Sequence, residues 1–258
     1  MRFDWNTPSA RYSPEPAAVI VQRKPPDLLL ITQPDHAGLA ADLLTAWGAG
    51  LTARPTRESL LLATREHDNG WREPDATIGI DEDGRPYDFL SAPDVLKQGI
   101  WPRAVARLAG HPRAAALVAR HALTIYEAHR STASWQPFFV TLTAAHDQLL
   151  GEAGLDSGSN PLAFDEDYEF LRLADLLSLT FCNRWADPVE HGGFRTILDG
   201  DTLTIAPDPF GGGDVPFRVR ARRIPDRLYA SDLDLQKTLA ATPDSWLTGR
   251  AVGGCKPS

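Results

Sequence analysis

The sequence predicts a mainly α protein, a helical bundle with a small β-sheet formed by strands from the two ends of the chain. Apolar residues recur at helical spacing between residues 34 and 184, whereas short β-like runs occur only before residue 33 and after Pro188. With 258 residues, 43% of them hydrophobic, the chain can bury one large core. We therefore expect one domain over residues 17–242 with a β-rich portion at about 190–230. It lies between a flexible arm, 1–16, and a flexible tail, 243–258.

The individual elements follow from periodicity and from helix start and stop signals. The predicted helices cover residues 34–47, 57–68, 93–109, 112–130, 135–150 and 165–184, and a last short helix begins at Ser231 with a capping box. The predicted strands cover residues 18–21, 28–32, 194–198, 202–206 and 215–222. Between residues 71 and 92 we expect a long irregular loop, and loops of this length are often functional. Asn69-Gly70 suits a left-handed exit from the second helix.

The last predicted strand has an alternating pattern. Phe217, Val219 and Ala221 alternate with Arg218, Arg220 and Arg222. Because side chains on a strand point alternately to its two faces, this pattern predicts a half-exposed strand.

Composition restricts the classes of partner. The formal charge is −8, with 34 acidic against 26 basic residues, so a large nucleic-acid interface is not expected, although a local basic pocket is compatible with it. The first sixteen residues lack an apolar signal-peptide core, and no run of eighteen uncharged apolar residues occurs, so we expect a cytoplasmic protein without membrane contact. Two cysteines are too few for a disulfide framework, and Cys182 is expected to pack in the core. The oligomeric state is left open.

Three features suggest a buried site for a divalent metal. His67-Asp68 ends a predicted helix and offers an imidazole beside a carboxylate. Asp175 lies within an apolar helical run, where an uncompensated charge costs several kcal/mol. His36 opens a leucine-rich helix. Other readings are open: a surface helix end for His67-Asp68, a partner such as Arg172 or Arg184 for Asp175, and a capping role for His36.

The order His, His-Asp, Asp resembles the HD-domain superfamily of metal-dependent phosphohydrolases, and His67 lies 31 positions after His36. Five segments also look like an uncharacterised bacterial group, domain-of-unknown-function family 3891. They are Leu30-Ile-Thr-Gln-Pro-Asp-His-Ala37, Glu66-His-Asp-Asn-Gly-Trp71, Gly84-Arg-Pro-Tyr-Asp-Phe89, Arg120-His121 and the region Arg218–Asp226. The resemblance implies an HD-domain-like helical bundle and a metal site.

Carried over by position, the resemblance makes His36, His67, Asp68 and Asp175 ligands of a divalent ion (Mn, Mg, Co, Fe or Zn), and Asp68 the bridge in a dinuclear centre. His121 is the candidate ligand of a second ion. For a sixth ligand, His146 is favoured by position over His111 and His129. One or two ions are therefore expected.

The resemblance and the neighbouring residues assign further roles. Asp68 could orient a water molecule, and Glu66 could shuttle protons, although one step along a helix turns it about 100° away. Arg72, Arg85 and Arg120 are candidate phosphate ligands, and Trp71 and Tyr87 could stack on a base or anchor their loop.

These features predict a metal-dependent hydrolase of a phosphate ester or nucleotide, acting on a small, phosphorylated molecule. Two alternatives stay open at this stage. One is an HD-type di-iron oxygenase, which needs six protein ligands. The other is a non-catalytic, metal-stabilised module that binds a small molecule.

Overall fold

The computed structural model describes residues 19–48, 50–155 and 161–255. The predicted arm at residues 1–16 lies outside this part of the chain. The helices are α1 Gln33–Thr45, α2 Arg57–Glu66, α3 Arg72–Ala76, α4 Asp94–Ala106, α5 Pro112–Ile125, α6 Gln136–Glu152, α7 Pro161–Asn183 and α8 Asp232–Ala241. The strands are β1 Ile20–Lys24, β2 Asp27–Ile31, β3 Val189–His191, β4 Phe194–Asp199, β5 Thr202–Ala206, β6 Asp214–Pro225 and β7 Asp244–Gly253.

The seven strands form a single sheet in the order β1-β2-β6-β7-β5-β4-β3. Neighbouring strands are antiparallel except β5 and β7, which are parallel. The prediction of a mainly α bundle with a small sheet is therefore wrong, because about 50% of the described residues are helical and 22% are strand in a large mixed sheet. The N-terminal and C-terminal strands do pair, through β2 and β6.

The underestimate of the sheet comes mainly from its central strands. β6 extends over 12 residues, and β7 is formed by residues that the sequence analysis assigned to a flexible tail. The β7 segment lacks a clear apolar alternation, since most of its side chains are half-buried or exposed. Its position between β6 and β5 depends on pairing with distant residues. At Gly249, an added Cβ would lie 2.7 Å from ring atoms of Phe181 and Phe217, so only glycine fits there.

The main core lies between the helices and one face of the sheet. Phe181 of α7 packs edge to face on Phe217 of β6 with 4.8 Å between ring centroids. Along β6, Phe217, Val219 and Ala221 are buried, whereas Arg218 and Arg220 are exposed, so the predicted alternation is confirmed. A smaller cluster lies where α8 covers β2 and β6; its members include Leu28, Leu30, Ile224, Leu235 and Leu239.

The segment after His67-Asp68 is more ordered than expected. It continues as a 3-10 helix, Asn69–Trp71, then as α3, and Trp71 is buried in the main core. Gly70 therefore does not provide a left-handed exit. Glycine is required there for another reason, because an added Cβ would lie 2.1 Å from the carbonyl oxygen of Ile100 in α4.

Two smaller expectations concern Cys182 and membranes. Cys182 is fully buried in the main core, as predicted. Over the described ranges, none of the helices combines the length and the apolar character needed to cross a bilayer.

Candidate metal centre

Four helical segments bring three imidazoles and two carboxylates together in the interior. His36 lies in the first turn of α1, His67 and Asp68 follow α2, His121 lies in α5 and Asp175 in α7. The histidines are at most 2% exposed and each aspartate is 8% exposed. The side chains form two groups, His36–His67–Asp68 and His67–His121–Asp175, and within each group the potential ligand atoms lie within 4.8 Å of one another. Such groups could hold a metal ion.

The first turn of α1 is fixed by a reciprocal cap. The Thr32 hydroxyl accepts from the backbone N–H of Asp35 at 3.1 Å and donates to Asp35 Oδ2 at 2.6 Å. This cap satisfies an otherwise unpaired N–H of the helix start. It also holds the backbone from which the His36 ring points into the protein.

Ser178 determines which nitrogen of His36 carries a proton. Its hydroxyl donates to the backbone carbonyl of Asp175 at 2.8 Å, and the same oxygen lies 2.9 Å from His36 Nδ1. A hydroxyl has one proton to give, so the serine oxygen must accept from His36 Nδ1–H. The ring therefore presents the lone pair of its Nε2 toward the centre in its neutral form.

That lone pair faces an acceptor. His36 Nε2 lies 2.7 Å from Asp68 Oδ2. Two acceptors at this distance repel each other unless a cation, either a proton or a metal ion, compensates their charge. The contact thus marks the position where positive charge is required.

His67 is oriented in a similar way. Its Nδ1 donates to the backbone carbonyl of Thr64 at 2.7 Å, which directs Nε2 inward. Nε2 lies 3.3 Å from Asp175 Oδ1 and 3.5 Å from Asp68 Oδ2 and has no hydrogen-bond partner among the described residues. Metal-binding histidines commonly use their second ring nitrogen in this way, donating it to a carbonyl group.

Contacts with α4 hold the turn that carries His67 and Asp68. The close approach of Gly70 to Ile100 is one of them. The Asn69 side chain donates to the carbonyl of Ala104 at 3.3 Å, and Arg107 donates to the carbonyl of Asn69. These contacts with α4 fix the backbone of the turn that carries His67 and Asp68.

Asp175 has only imidazoles as ion-pair partners within the described residues. His67 Nε2 is at 3.3 Å, His121 Nε2 at 3.7 Å and His36 Nδ1 at 3.9 Å. The alternative partner Arg184 instead pairs with Asp201 at 2.9 Å. No guanidinium neutralises this buried carboxylate, so its compensation depends on the histidines or on a bound cation.

The electrostatics of the centre reflect this arrangement. Burial alone would raise the pKa of Asp175, but the contact with His67 and the charges of the histidines hold it well below its usual range. Burial would lower the pKa of His67, yet the charges of Asp68 and Asp175 raise it to about 9. Burial lowers the pKa of His121 to about 4, so this ring is neutral. Without a metal, the centre retains a proton on its histidines.

His121 completes the second group. Its Nδ1 is buried without a hydrogen-bond partner among the described residues. The ring packs between Trp101 and Tyr168, with centroid distances of 5.8 and 6.2 Å. The other ring nitrogen, Nε2, faces the centre at 3.7 Å from Asp175 Oδ2, and a neutral imidazole can donate the lone pair of this atom to an ion.

Other candidate residues lie elsewhere. His146 belongs to neither group; it lies 3.3 Å from Asp147 and beside Phe164. Of the alternatives for a sixth ligand, His129 stacks on Trp135, and His111 caps α5. Of the residues predicted as ligands, five come together in the structure and His146 lies apart from them. The five are His36, His67, Asp68, His121 and Asp175.

The candidate catalytic and substrate-binding residues are mostly on the surface. Glu66 pairs with Arg72 at 2.8 Å, and Arg85 lies 3.7 Å from Asp83. Arg120 pairs with Asp165 and lies over the Tyr168 ring, 4.5 Å from its centroid. Trp71 is buried in the main core, and Tyr87 packs against it half-buried. Both aromatic residues therefore anchor their segment.

Sequence reasoning missed Ser178 and Thr64, which orient the two central histidines. Ser178 lies three residues after Asp175, and Thr64 lies three residues before His67. Residues three apart share a helix face, so the serine beside Asp175 was a usable signal. Thr64 contributes only its backbone carbonyl, for which the side-chain pattern holds no signal.

Comparison with known proteins gives one assignment. No curated protein and no solved structure matches the chain. A family model matches residues 19–226, which is most of the chain and includes all five residues of the centre. The chain therefore belongs to the family described as protein of unknown function, DUF3891.

Proposed function

We propose that the protein is a metal-dependent hydrolase of a phosphate ester or nucleotide, related to the HD-domain phosphohydrolases. His36, His67, Asp68 and Asp175 would hold the divalent ion. The observation that carries the proposal is the 2.7 Å contact between His36 Nε2 and Asp68 Oδ2, in which Ser178 leaves both atoms as acceptors. A divalent ion at this place would take the position of the proton that this contact otherwise needs, and both atoms would bind the ion as ligands.

The donor set fits such an ion. Imidazoles with carboxylates suit Mn, Fe, Co or Zn, whereas Mg prefers oxygen ligands. When bound, a divalent ion supplies Lewis acidity, which lowers the pKa of water and neutralises charge on phosphoryl oxygens.

The chain itself contributes enclosure and orientation. The histidines are sealed from solvent, while Asp68 and Asp175 are 8% exposed, so a substrate would approach from the carboxylate side. There, Asp68 can accept a hydrogen bond from a water molecule and fix its direction. The neutral ring of His121 adds a fifth donor. With His67 and Asp175 it forms the second group, which could hold a second ion beside the first.

The proposal is tested by phosphate release. The purified protein, stripped with a chelator, is supplied separately with Mn²⁺, Co²⁺, Mg²⁺, Fe²⁺ and Zn²⁺ and assayed against a panel of nucleotides and phosphomonoesters. We expect release with at least one metal, none without metal, and none from the variants Asp68→Asn and Asp175→Asn.

The matched control is Asp147→Asn, which changes an exposed aspartate beside His146 and should retain full activity. Folded wild-type protein that releases no phosphate with any of the metals would contradict the proposal. Two irons per chain with oxygen consumption would instead indicate the oxygenase alternative.

A further inference from the structure

A groove lies between the helices and β6, next to the metal centre. A cavity of about 540 Å³ is lined mainly by residues of β2, α1, α3, β6 and α8; the polar ones are Thr32, Asp35, Arg72, Asp75, Arg220, Arg222 and Gln236. A neighbouring cavity of about 310 Å³ shares Asp35, Arg72 and Arg220 with it and adds Arg218 and Trp246. Its lining also includes Asp42 and Glu66, which are paired with Arg65 and Arg72. We call the two cavities together the β6 groove. Its volume is in the range of sites for small organic ligands.

The β6 groove joins three segments that are far apart in the sequence. Asp35 belongs to the segment that carries His36, and Arg72 follows the segment that carries His67 and Asp68. Arg218, Arg220 and Arg222 belong to the region Arg218–Asp226, for which the metal centre provides no role. One surface thus collects residues from two ligand-bearing segments and from a distant strand.

The strand supplies a row of guanidinium groups. Residues two apart on a strand lie about 6.8 Å apart on one face, so Arg218, Arg220 and Arg222 form a line. Arg220 and Arg222 share Asp244, at 2.8 and 3.3 Å. Arg218 has no acidic partner within the residues that the structure describes, and its guanidinium lies 4.3 Å from the Trp246 ring centroid. The stacked group is held in place with its donors free, as suits recognition of phosphate.

The opposite wall offers an acceptor. Asp75 is 7% exposed, and its Oδ2 accepts from the backbone N–H of Gln33 at 2.7 Å. Its Oδ1 has no hydrogen-bond partner among the described residues, although the side chain lines the cavity. A buried carboxylate oxygen without a partner is costly, and a hydroxyl group of a ligand would satisfy it.

Asp75 links the β6 groove to the metal centre. Burial raises the pKa of Asp75 well above its usual value, and the charges of Asp68 and Asp35 raise it further. The groove is also joined to the centre through α1, because the backbone N–H of Gln33, which donates to Asp75, lies three residues before His36 in the same helix.

We propose that the β6 groove binds the part of the substrate that does not react, and that the substrate is a sugar or nucleoside carrying two phosphate groups. One phosphate would lie on Arg218 and Arg220, and a sugar hydroxyl would form a hydrogen bond with Asp75 Oδ1. This inference rests on the proposed function, which places the second, reacting phosphoryl group at the metal centre.

The test is equilibrium binding by calorimetry with two probes, ADP and fructose 1,6-bisphosphate. Hydrogen bonds to charged groups are strong enough that Arg218→Ala and Arg220→Ala should each weaken binding about tenfold. Both side chains are exposed, so the fold should tolerate the changes. The matched control is Arg250→Ala. Arg250 is an exposed arginine on β7 that pairs with Asp214 at 3.6 Å, and the affinity of this variant for each probe should stay within about twofold of the wild-type value.

Asp75→Ala tests the hydroxyl contact. This variant should bind ADP more weakly than the wild type does. Its affinity for inorganic pyrophosphate, which has no sugar hydroxyl, should be unchanged. An equal loss of affinity for ADP and for pyrophosphate would contradict the role of Asp75.

Asp68→Asn separates this proposal from the proposed function, because it should abolish phosphate release while ADP binding persists. Wild-type protein that binds neither probe at millimolar concentration would overturn the groove proposal, even if phosphatase activity is found. Binding that depends on Arg218 and Arg220 in a protein that hydrolyses nothing would support the phosphate site and overturn its assignment to a substrate.

Discussion

Helix α7 carries two buried aspartates whose surroundings differ. Asp167 is 0% exposed and is bonded by Arg54 at 3.0 Å, Arg113 at 2.6 Å and the Thr56 hydroxyl at 3.0 Å. Asp175, two turns further along, has only imidazoles within 4.0 Å as ion-pair partners among the described residues. One carboxylate is compensated by permanently charged guanidinium groups, whereas the other depends on a proton or a metal ion at the histidines.

The difference separates a charge that the protein neutralises with arginines from one that we propose a metal ion to neutralise. Two guanidinium groups and a hydroxyl satisfy Asp167, so that region ties α7 to α5 and to the segment before α2. Asp175 is instead compensated by a proton held on the histidines, chiefly on His67, and a divalent ion could take the place of that proton. We therefore expect the two regions to respond differently to mutation and to metal.

The largest effect is expected for Asp175→Asn. The change removes a charged ligand while preserving size, so metal affinity should fall by more than about a hundredfold and phosphate release should be lost. Metal content per chain, measured after dialysis, checks the first part. A variant that keeps wild-type metal content would show that Asp175 is not a ligand.

Asp167→Ala should have the opposite profile. Removing one partner of a buried ion pair leaves the arginines uncompensated, so the free energy of unfolding should fall by about 3–5 kcal/mol. Chemical denaturation measures this loss. Metal content of the folded protein should be unchanged, and loss of metal together with stability would mean that the two regions are not independent.

The contrast was only partly readable from the sequence. Asp175 could be identified as a candidate because it lies in an apolar run. It also follows His36, His67 and Asp68 in the order that the resemblance predicts. The partners of Asp167, Arg54 and Arg113, are more than fifty residues away and carry no pattern that links them to it.

The fold shows the same limit. Helices could be predicted because their apolar spacing is local, and the alternation along β6 was equally visible. The central position of β7 depends on pairing with β5 and β6. This pairing could not be predicted, because the β7 segment has no clear apolar alternation. The role of Gly70 likewise depends on the approach of Ile100 from another helix.

Gly70→Ala tests how firmly the turn with His67 and Asp68 is held. The added Cβ would meet the backbone carbonyl of Ile100, which cannot move aside as a flexible side chain could. Overpacking of this kind should cost about 1–3 kcal/mol of unfolding free energy and displace both ligands, with a lower metal affinity. Gly110→Ala is the matched control, because an added Cβ there meets nothing within 4 Å. Equal behaviour of the two variants would contradict the account of the turn.

Ser178→Ala should produce the smallest of these effects. Without the hydroxyl, His36 loses the acceptor that fixes its ring, and metal affinity should fall about tenfold. Ser178→Thr keeps the hydroxyl and should restore most of the affinity. The visible spectrum of the Co²⁺-loaded protein would report the altered geometry, and an unchanged spectrum and affinity in Ser178→Ala would exclude this positioning role.

The main proposal is that the centre around Asp175 holds a divalent metal. The most direct measurement is the metal content of the wild-type chain after chelation, reconstitution and dialysis, by inductively coupled plasma mass spectrometry. We predict one or two ions per chain in the wild type and in Asp167→Asn, and none in Asp175→Asn. Wild-type protein that is folded and retains no Mn, Co, Fe, Zn or Mg would contradict the claim.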